Sequence, residues 1–358
     1  MLKPTEAVCR VKAYHPPLGG RCGLRLDFNE NTAGCSPRVL ARLRQITADD
    51  LSRYPEREPV EAVAAESLGL LPSQALLTNG VDEAIHLLCE AYLQPGDEAL
   101  TVVPTFAMYE LAASATGANV RTVTAGENFR FPAAQLLARI SPRTRLIAIA
   151  NPNNPTGAIA EGPDLLAIAD RAPHAAVLVD EAYFDFYGET LIGHVASHSN
   201  LFVARTFSKA YGLAGLRVGV LAGPEEQMVF LRRIASPYNV NAVALACLPE
   251  ALSDREYVRA YVEQVRRGRA RLEAALRSLL IPCWTSQANF VLARFAERRQ
   301  AFVAGMRLRG ILVRDRDSDP GCAGCVRITV GTDEQNERLI CALQDCLAEG
   351  ARAREVPA

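Results

Sequence analysis

Three apolar runs alternate with polar loops in the middle of the chain: Leu146-Ile-Ala-Ile-Ala150, Ala176-Val-Leu-Val-Asp180 and Leu201-Phe-Val-Ala-Arg205. A fourth run extends from Leu216 to Ala222. Runs that are apolar on both faces are typical of parallel strands buried between helices. Helix-like segments such as Asp164 to Arg171 lie between the runs. This alternation predicts an α/β fold with a mostly parallel central sheet between helices.

The rest of the chain continues this pattern toward both ends. A helix is predicted from about residue 80 to Tyr92, and a long amphipathic helix from about Tyr257 to Leu280. At roughly 150 residues per domain, a chain of 358 residues is expected to form about two domains. We predict a large domain over 46–250 and a smaller α/β domain over 251–358, which the N-terminal segment 1–45 joins.

Composition excludes several classes of function. Lys plus Arg total 39 and Asp plus Glu total 40, so the formal net charge is −1. Nucleic acid and anionic membranes require a broad positive field that this balance does not provide. No apolar run approaches the ~18 residues that span a bilayer, and the first residues, Met1 to Glu6, do not resemble a signal peptide. We therefore expect a cytoplasmic protein with reduced cysteines, whose partners are small molecules and other subunits.

Polar side chains follow the three apolar runs at the points where each run ends. Asn154 lies in the loop after the first run, Asp180 ends the second with Tyr183 close behind, and Lys209 follows the third. Ligands of open α/β sheets bind at the carboxyl ends of the strands. The sequence therefore predicts that an amide, a carboxylate, a phenol and a lysine meet at one edge of the sheet.

This set of groups suits pyridoxal 5′-phosphate. A lysine amine forms a Schiff base with its aldehyde, and a carboxylate such as Asp180 holds its ring nitrogen protonated, which makes the ring an electron sink. The phosphate needs amide, hydroxyl and guanidinium donors. Such donors are offered by a predicted helix start and by the residues around the lysine: Gly80, Val81, Asp82, Thr206, Ser208 and Arg217.

Taken singly, these residues have simpler explanations. A lysine after a strand is usually solvated, Asp180 could cap a helix, and Asn154 suits a turn. Their combination at the ends of neighbouring strands favours the cofactor site. Cys322-Ala-Gly-Cys325 is an isolated pair with no second pair and no nearby histidine, so we predict no metal site.

Longer motifs carry a resemblance that covers nearly the whole chain. They are Leu26-Asp-Phe-Asn-Glu-Asn31, Arg53-Tyr-Pro55, Asn151-Pro-Asn-Asn-Pro-Thr-Gly157, Val179-Asp-Glu-Ala-Tyr-Phe-Asp-Phe186, the segment from Arg205 through Ser-Lys to Leu-Arg-Val-Gly219, and Arg327-Ile-Thr-Val-Gly-Thr332. With these motifs the chain resembles the class I/II aminotransferases of pyridoxal-phosphate fold type I. Within them it looks most like the histidinol-phosphate aminotransferases.

The resemblance implies a role for each matching residue. Lys209 would be the Schiff-base lysine, Asp180 would pair with the pyridine nitrogen, and Asn154 and Tyr183 would hold the phenolic oxygen. The cofactor phosphate would bind Gly80, Val81, Asp82, Thr206, Ser208 and Arg217, and Tyr109 would stack on the ring. The substrate would contact Tyr14, Asn29, Arg314 and Arg327. Tyr54 would reach the cofactor phosphate of a neighbouring subunit, which implies a homodimer with shared active sites.

The implied reaction is transamination between histidinol phosphate and 2-oxoglutarate, which gives imidazole acetol phosphate and glutamate. Two alternatives use the same fold: an aromatic amino acid aminotransferase and an enzyme like threonine-phosphate decarboxylase. A third alternative is a non-catalytic effector-binding domain of the aminotransferase type. Regulators of that type carry an added DNA-binding segment, and the sequence before Tyr14 has no room for one.

Overall fold

A computed structural model describes residues 2–15, 19–20 and 22–355 of the chain. Its strands are β1 Leu24–Leu26, β2 Ala75–Thr78, β3 Glu98–Val103, β4 Asn119–Thr124, β5 Thr144–Ala150, β6 Ala176–Asp180, β7 Leu201–Thr206, β8 Gly219–Ala222, β9 Phe290–Arg294, β10 Ile311–Asp315 and β11 Cys325–Thr329. They form two sheets, one of seven strands and one of four.

Helices precede, separate and follow these strands. They are α1 Glu6–Arg10, α2 Pro37–Leu43, α3 Ala48–Ser52, α4 Glu58–Ser67, α5 Gly80–Tyr92, α6 Met108–Ala115, α7 Ala133–Arg139, α8 Gly162–Arg171, α9 Phe184–Tyr187, α10 Glu225–Ile234, α11 Ala242–Ser253, α12 Arg255–Ser278, α13 Arg299–Leu308 and α14 Asp333–Glu355. Among the described residues, no helix combines the length and the apolar character that crossing a membrane requires.

The large sheet has the strand order β2-β8-β7-β6-β5-β3-β4. Every neighbouring pair from β7 to β4 is parallel, which confirms the mostly parallel sheet predicted from the apolar runs. Alternate residues of β6 face opposite sides of the sheet. Ala176 and Leu178 pack toward α5 and α6, whereas Val177 and Val179 pack toward α8. Apolar contacts on both faces explain why the run contains no polar alternation.

The fourth apolar run differs from the expectation of a parallel strand. It becomes β8, which begins only at Gly219 and pairs antiparallel with both β7 and β2. The connection from β7, residues 207–218, contains only the short 3-10 helix Ala214–Leu216 and no crossover helix of the kind that usually joins parallel neighbours. Because β8 runs in the opposite direction, its amino end lies at the carboxyl edge of the other strands. Arg217, two residues before β8, is thereby brought to that edge.

The small sheet combines strands from both ends of the chain in the order β1-β10-β11-β9. β1 pairs parallel with β10, while β10 with β11 and β11 with β9 are antiparallel. Its apolar side packs with α12, α13 and α14, through residues such as Val265, Phe302 and Leu339. The opposite face of β10 and β11 carries Arg314 and Arg327, which are register partners.

Candidate active site

A cavity of about 280 Å³ lies between the carboxyl edge of the large sheet and the small sheet. This volume is near the lower limit of small-molecule sites, which is about 300 Å³. Most of the residues predicted from the sequence line it: Tyr14, Asn29, Val81, Asp82, Tyr109, Asn154, Asp180, Tyr183, Thr206, Ser208, Lys209, Arg217, Arg314 and Arg327. The structure therefore brings together residues that are up to 313 positions apart, from Tyr14 to Arg327.

Asp180 is the last residue of β6, and its carboxylate is buried at the base of the cavity. The hydroxyl of Tyr109 donates to Asp180 Oδ2 over 2.6 Å, and the backbone N–H of Ala182 donates to Oδ1 over 3.0 Å. Burial raises the pKa of Asp180 to about 6, against the opposing effect of these two hydrogen bonds. Both donors are neutral, so a cation placed here would gain a strong charge-assisted partner.

Lys209 lies three residues beyond β7 and is partly buried. Its Nζ donates to the backbone carbonyl of Phe28 over 3.1 Å and lies 5.9 Å from the ring centre of Tyr183. Burial, followed by the positive charge of Arg327, lowers the pKa of Lys209 to about 8. An amine with such a pKa is partly neutral near physiological pH, as a nucleophile or a proton acceptor must be.

Asn29 connects the N-terminal segment to Tyr183. Its side-chain amide donates to Tyr183 Oη over 2.8 Å, and its Oδ1 accepts from the hydroxyl of Thr329 over 3.1 Å. The amide of Asn289 holds the backbone carbonyl of Asn29 over 3.0 Å. Asn29 has a φ of 57°, a left-handed conformation that asparagine tolerates better than most residues. These contacts fix the phenol of Tyr183 at the cavity wall.

Hydroxyl, amide and guanidinium groups lie together at the end of the cavity beside the start of α5. α5 begins at Gly80, so the first N–H groups of that helix point toward it. The hydroxyl of Thr206 accepts from the backbone N–H of Ser208 over 3.1 Å, and the Ser208 hydroxyl is buried without a partner among the described residues. Arg217 contacts Asp82 over 3.0 Å. This end is suited to a phosphate group.

Gly80 does not belong to the cavity lining, but it supports that end. Its φ is 72°, and a Cβ at this position would lie 2.5 Å from Nη2 of Arg217. Glycine therefore allows the guanidinium to lie against the start of α5. Tyr54 lies outside the cavity, is 78% exposed, and stacks on Tyr238 with ring centres 4.2 Å apart.

A third part of the cavity is rich in guanidinium groups. Arg327 donates to the backbone carbonyl of Asp27 over 2.6 Å and to the side-chain oxygen of Asn154. Burial lowers the pKa of Arg327 to about 10. Arg314 donates to the hydroxyl of Tyr14 over 3.2 Å. These contacts pre-orient two cations toward an anionic ligand.

The sequence analysis missed several lining residues: Phe28, Glu30, Phe106, Ala107, Ala150, Pro152, Ala182, Ala214 and Arg316. Most contribute apolar surface or backbone and carry no recognisable pattern. Arg316 could have been found, because it follows Arg314 by two residues, and positions i and i+2 of a strand share a face. Glu30 pairs with Arg25, which does not itself line the cavity.

Comparison with known proteins agrees with this geometry. The family model of aminotransferase class I and II matches residues 23–343. The chain belongs to this family. It is 38% identical to the histidinol-phosphate aminotransferase of Paracoccus denitrificans (strain Pd 1222) over 363 residues, covering 99% of this chain and 98% of that one. It is 39% identical to that of Jannaschia sp. (strain CCS1), with coverages of 97% and 99%.

A solved structure shares the fold over nearly the full length. The histidinol-phosphate aminotransferase of Sinorhizobium meliloti, in complex with pyridoxal-5′-phosphate, superimposes with a TM-score of 0.89 at 23% identity, covering 98% of each chain. As an aminotransferase of class I and II, the present protein is an enzyme that uses pyridoxal phosphate to move an amino group from a donor to a 2-oxo acid.

The residues of the cavity fit this cofactor. The buried carboxylate of Asp180 suits a protonated ring nitrogen, and the unpartnered hydroxyl of Ser208 with the guanidinium of Arg217 suits its phosphate. Lys209, with its lowered pKa, suits covalent attachment to an aldehyde. These three features lie in one cavity, which is the requirement that a single cofactor imposes.

Proposed function

We propose that the enzyme transfers the amino group of histidinol phosphate to 2-oxoglutarate in the cytoplasm. The arginine-rich part of the cavity is the observation that carries this proposal, because Arg314 and Arg327 face the same space as Lys209. A donor with a phosphate group and an acceptor with two carboxylates both require such cations. Two relatives that match this chain over nearly their whole lengths, at 38% and 39% identity, are named for this activity.

The cofactor would be held by the residues at the strand ends. Asp180 would pair with the ring nitrogen, Tyr109 would stack on the ring, and Asn154 and Tyr183 would hold the phenolic oxygen. Its phosphate would bind the first N–H groups of α5, with the hydroxyls and guanidinium beside them: Gly80, Val81, Asp82, Thr206, Ser208 and Arg217. Asp180 suits a protonated ring nitrogen because its carboxylate, at the end of β6, is buried and faces the cavity.

Bound pyridoxal phosphate supplies an electron sink when the Cα–H bond of the donor breaks. Lys209 would act as the base: its Nζ would take the proton from Cα of the donor and would donate it again later in the same half-reaction. Its pKa of about 8 makes the neutral amine accessible near pH 7. Tyr183, held by Asn29, lines the same cavity as Lys209, with its ring centre 5.9 Å from Nζ.

Two anion sites would orient the substrates. Arg327 would hold the α-carboxylate of glutamate or 2-oxoglutarate, and its bonds to Asp27 and Asn154 fix the guanidinium in advance. Arg314 and Tyr14 would hold the phosphate of the donor or the distal carboxylate of the acceptor. Preorganised charges of this kind reduce the free energy needed to order the site when substrate binds.

We propose in addition that the active unit is a homodimer. Tyr54 is exposed and does not line the cavity of its own chain. The resemblance to class I/II aminotransferases implies that this tyrosine reaches the cofactor phosphate of a neighbouring subunit. The domain division into 46–250 and 251–358, with 1–45 joining the smaller unit, stays a prediction.

A panel of amino donors with 2-oxoglutarate tests the proposed reaction. Glutamate and the oxo product of histidinol phosphate should form in equal amounts, without carbon dioxide. Release of carbon dioxide from a phosphorylated amino acid would favour the decarboxylase alternative. Absence of turnover with every donor, despite bound cofactor, would favour the effector-binding alternative.

A further inference from the structure

Three arginines share one face of the small sheet. Arg314 of β10 lies opposite Arg327 of β11 in the antiparallel register. Arg316 follows two positions after Arg314, and its backbone N–H donates to the carbonyl of Cys325 over 3.0 Å, which extends the pairing of the two strands. All three side chains line the cavity. The sheet geometry therefore adds a third guanidinium to the two that the proposed function uses.

Each of these arginines has a buried nitrogen without a hydrogen-bond partner among the described residues. The atoms are Nη1 of Arg314, Nε of Arg316 and Nε of Arg327. Leaving buried donors unsatisfied costs free energy, and like charges held close together add to that cost. An anion with several acceptor oxygens removes both penalties at once.

Arg316 is held in place by one carboxylate. Its guanidinium pairs with Asp319, on the loop between β10 and β11, and only 12% of the arginine side chain is exposed. The charge of Arg316 reaches the reacting part of the cavity: it opposes the rise that burial causes in the pKa of Tyr183, and it adds to the lowering that burial causes in the pKa of Arg327. The side chain is thus ordered before any ligand binds, and its field acts on the substrate region.

We propose that Arg316 is a specificity-determining residue that selects substrates with a dianionic phosphate group. This inference rests on the proposed function and deepens it. Arg314 with Tyr14 can satisfy a monoanionic carboxylate, which has two acceptor oxygens. A phosphate monoester carries about −1.5 to −2 charges near pH 7 and three terminal oxygens, and so it matches the additional cation and donors of Arg316.

The test compares histidinol phosphate and phenylalanine as donors, using wild-type enzyme and Arg316→Gln that both contain pyridoxal phosphate. We expect kcat/KM for histidinol phosphate to fall on the order of 10- to 100-fold, the loss typical of a charge-assisted hydrogen bond. For phenylalanine, which lacks phosphate, kcat/KM should change by less than about threefold. Arg316→Lys keeps the positive charge but lacks the bidentate guanidinium, so its kcat/KM for histidinol phosphate should lie between those of the wild type and Arg316→Gln.

Arg294→Gln is the matched control. Arg294 belongs to the same sheet and contacts Gly321 in the same loop, but it does not line the cavity. Arg294→Gln should leave the ratio of kcat/KM for histidinol phosphate to kcat/KM for phenylalanine unchanged. If Arg316 had a purely structural role, Arg316→Gln would lower kcat/KM equally for both donors, and Asp319→Asn would do the same. That result would overturn the inference.

Inhibition by inorganic phosphate separates failure of this inference from failure of the proposed function. If the wild-type enzyme prefers phenylalanine, the proposed function is wrong, and the inhibition constant of phosphate against phenylalanine still reports on Arg316. We expect that constant to rise at least tenfold in Arg316→Gln, as expected for one lost charge-assisted contact. An unchanged inhibition constant would contradict a role of Arg316 in phosphate selection, whichever donor is preferred.

Discussion

The amine of Lys209 is buried and has two positive charges nearby, so the rate at which it attaches the cofactor should depend on pH. Its pKa of about 8 lies below the value of a solvated lysine because burial and Arg327 disfavour the charged form. Only the neutral amine attacks the aldehyde of the cofactor. The rate of cofactor attachment to the apoenzyme should therefore increase about tenfold from pH 7 to pH 9, with a midpoint near 8.

Stopped-flow absorbance of the apoenzyme mixed with pyridoxal phosphate measures this rate. Lys209→Ala is the control, and it should retain its fold, show no borohydride-reducible link to the cofactor and have no turnover. A midpoint above pH 10 would mean that the amine is solvated rather than buried. A reducible link that persists in Lys209→Ala would assign the attachment to another lysine.

Asp180→Asn tests the buried carboxylate. The amide cannot hold the ring nitrogen protonated, so the electron sink weakens, and kcat should fall on the order of 10²-fold or more. Asp185→Asn is the matched control, because burial also raises the pKa of Asp185 to about 6 and Asp185 does not line the cavity. Steady-state kinetics and thermal melts of both variants check the result. Equal kcat values for Asp180→Asn and the wild type would refute the role of this carboxylate.

At the residue scale, the chemistry-bearing side chains could be predicted because they directly follow apolar strands. Lys209, Asp180 and Asn154 are examples, and the cavity contains all three. The contact of Asn29 with Tyr183 was not predictable, since it joins positions 154 residues apart through two sheets. Arg316 was missed because a charged residue after a strand is usually solvated, and its burial depends on Asp319.

At the scale of elements, the start of α5 requires a glycine at position 80, and a substitution of Gly80 tests this requirement. Alanine there would be strained at a φ of 72°, and its Cβ would displace the guanidinium of Arg217. Gly80→Ala should cost about 1–2 kcal/mol of stability and raise the Kd of the cofactor on the order of tenfold. Melting curves and a titration of the apoenzyme with pyridoxal phosphate measure the two effects.

Gly69→Ala separates backbone strain from the effect on Arg217. Gly69 has a φ of 71°, and a Cβ there would have no heavy atom within 4 Å. It should lose similar stability and keep the Kd of the wild type. If both variants bind the cofactor equally well, Arg217 does not depend on the glycine at the helix start.

The direction of β8 shows a limit of pattern reading. Its residues are apolar on both faces, like those of β6, and such a run does not distinguish a parallel strand from an antiparallel one. The direction depends on whether the twelve residues 207–218 after β7 form a crossover helix, and the apolar run itself does not decide this. This direction matters for the site because it brings Arg217 to the edge where Lys209 lies.

At the scale of the whole molecule, sharing of sites between subunits can be tested by complementation. Lys209→Ala and Tyr54→Ala chains should each be impaired as homodimers. After subunit exchange, a hybrid has one site with an intact lysine and an intact tyrosine, so equal mixing should restore about a quarter of wild-type activity. Activity assays before and after exchange, with the oligomeric state from light scattering, check this result.

The mixture of Lys209→Ala with Asp180→Asn is the control for exchange. Both changes lie in the cavity of their own chain, so hybrids of these two have no intact site and should gain no activity. Full activity of a Tyr54→Ala homodimer, or of a monomer at assay concentration, would refute the shared site.

The small sheet shows what the whole chain contributes beyond its motifs. β1, near the N-terminus, pairs with β10, and the register places Leu24 opposite Ile311. A prediction that both termini form one smaller α/β unit could be made from the resemblance, but no local pattern gives this register. Long-range pairing is decided by the packing of the complete chain.

We propose that the arginine-rich cavity selects a phosphorylated amino donor. Competition measures it most directly: histidinol phosphate and phenylalanine at equal concentration react together with 2-oxoglutarate, and the ratio of their two oxo products gives the ratio of kcat/KM. We predict that the product of histidinol phosphate exceeds that of phenylalanine by at least about tenfold, because the phosphate engages Arg314 and Arg316, which phenylalanine leaves without an anionic partner when Arg327 holds its carboxylate. An excess of the phenylalanine product would contradict the account and identify an aromatic amino acid aminotransferase instead.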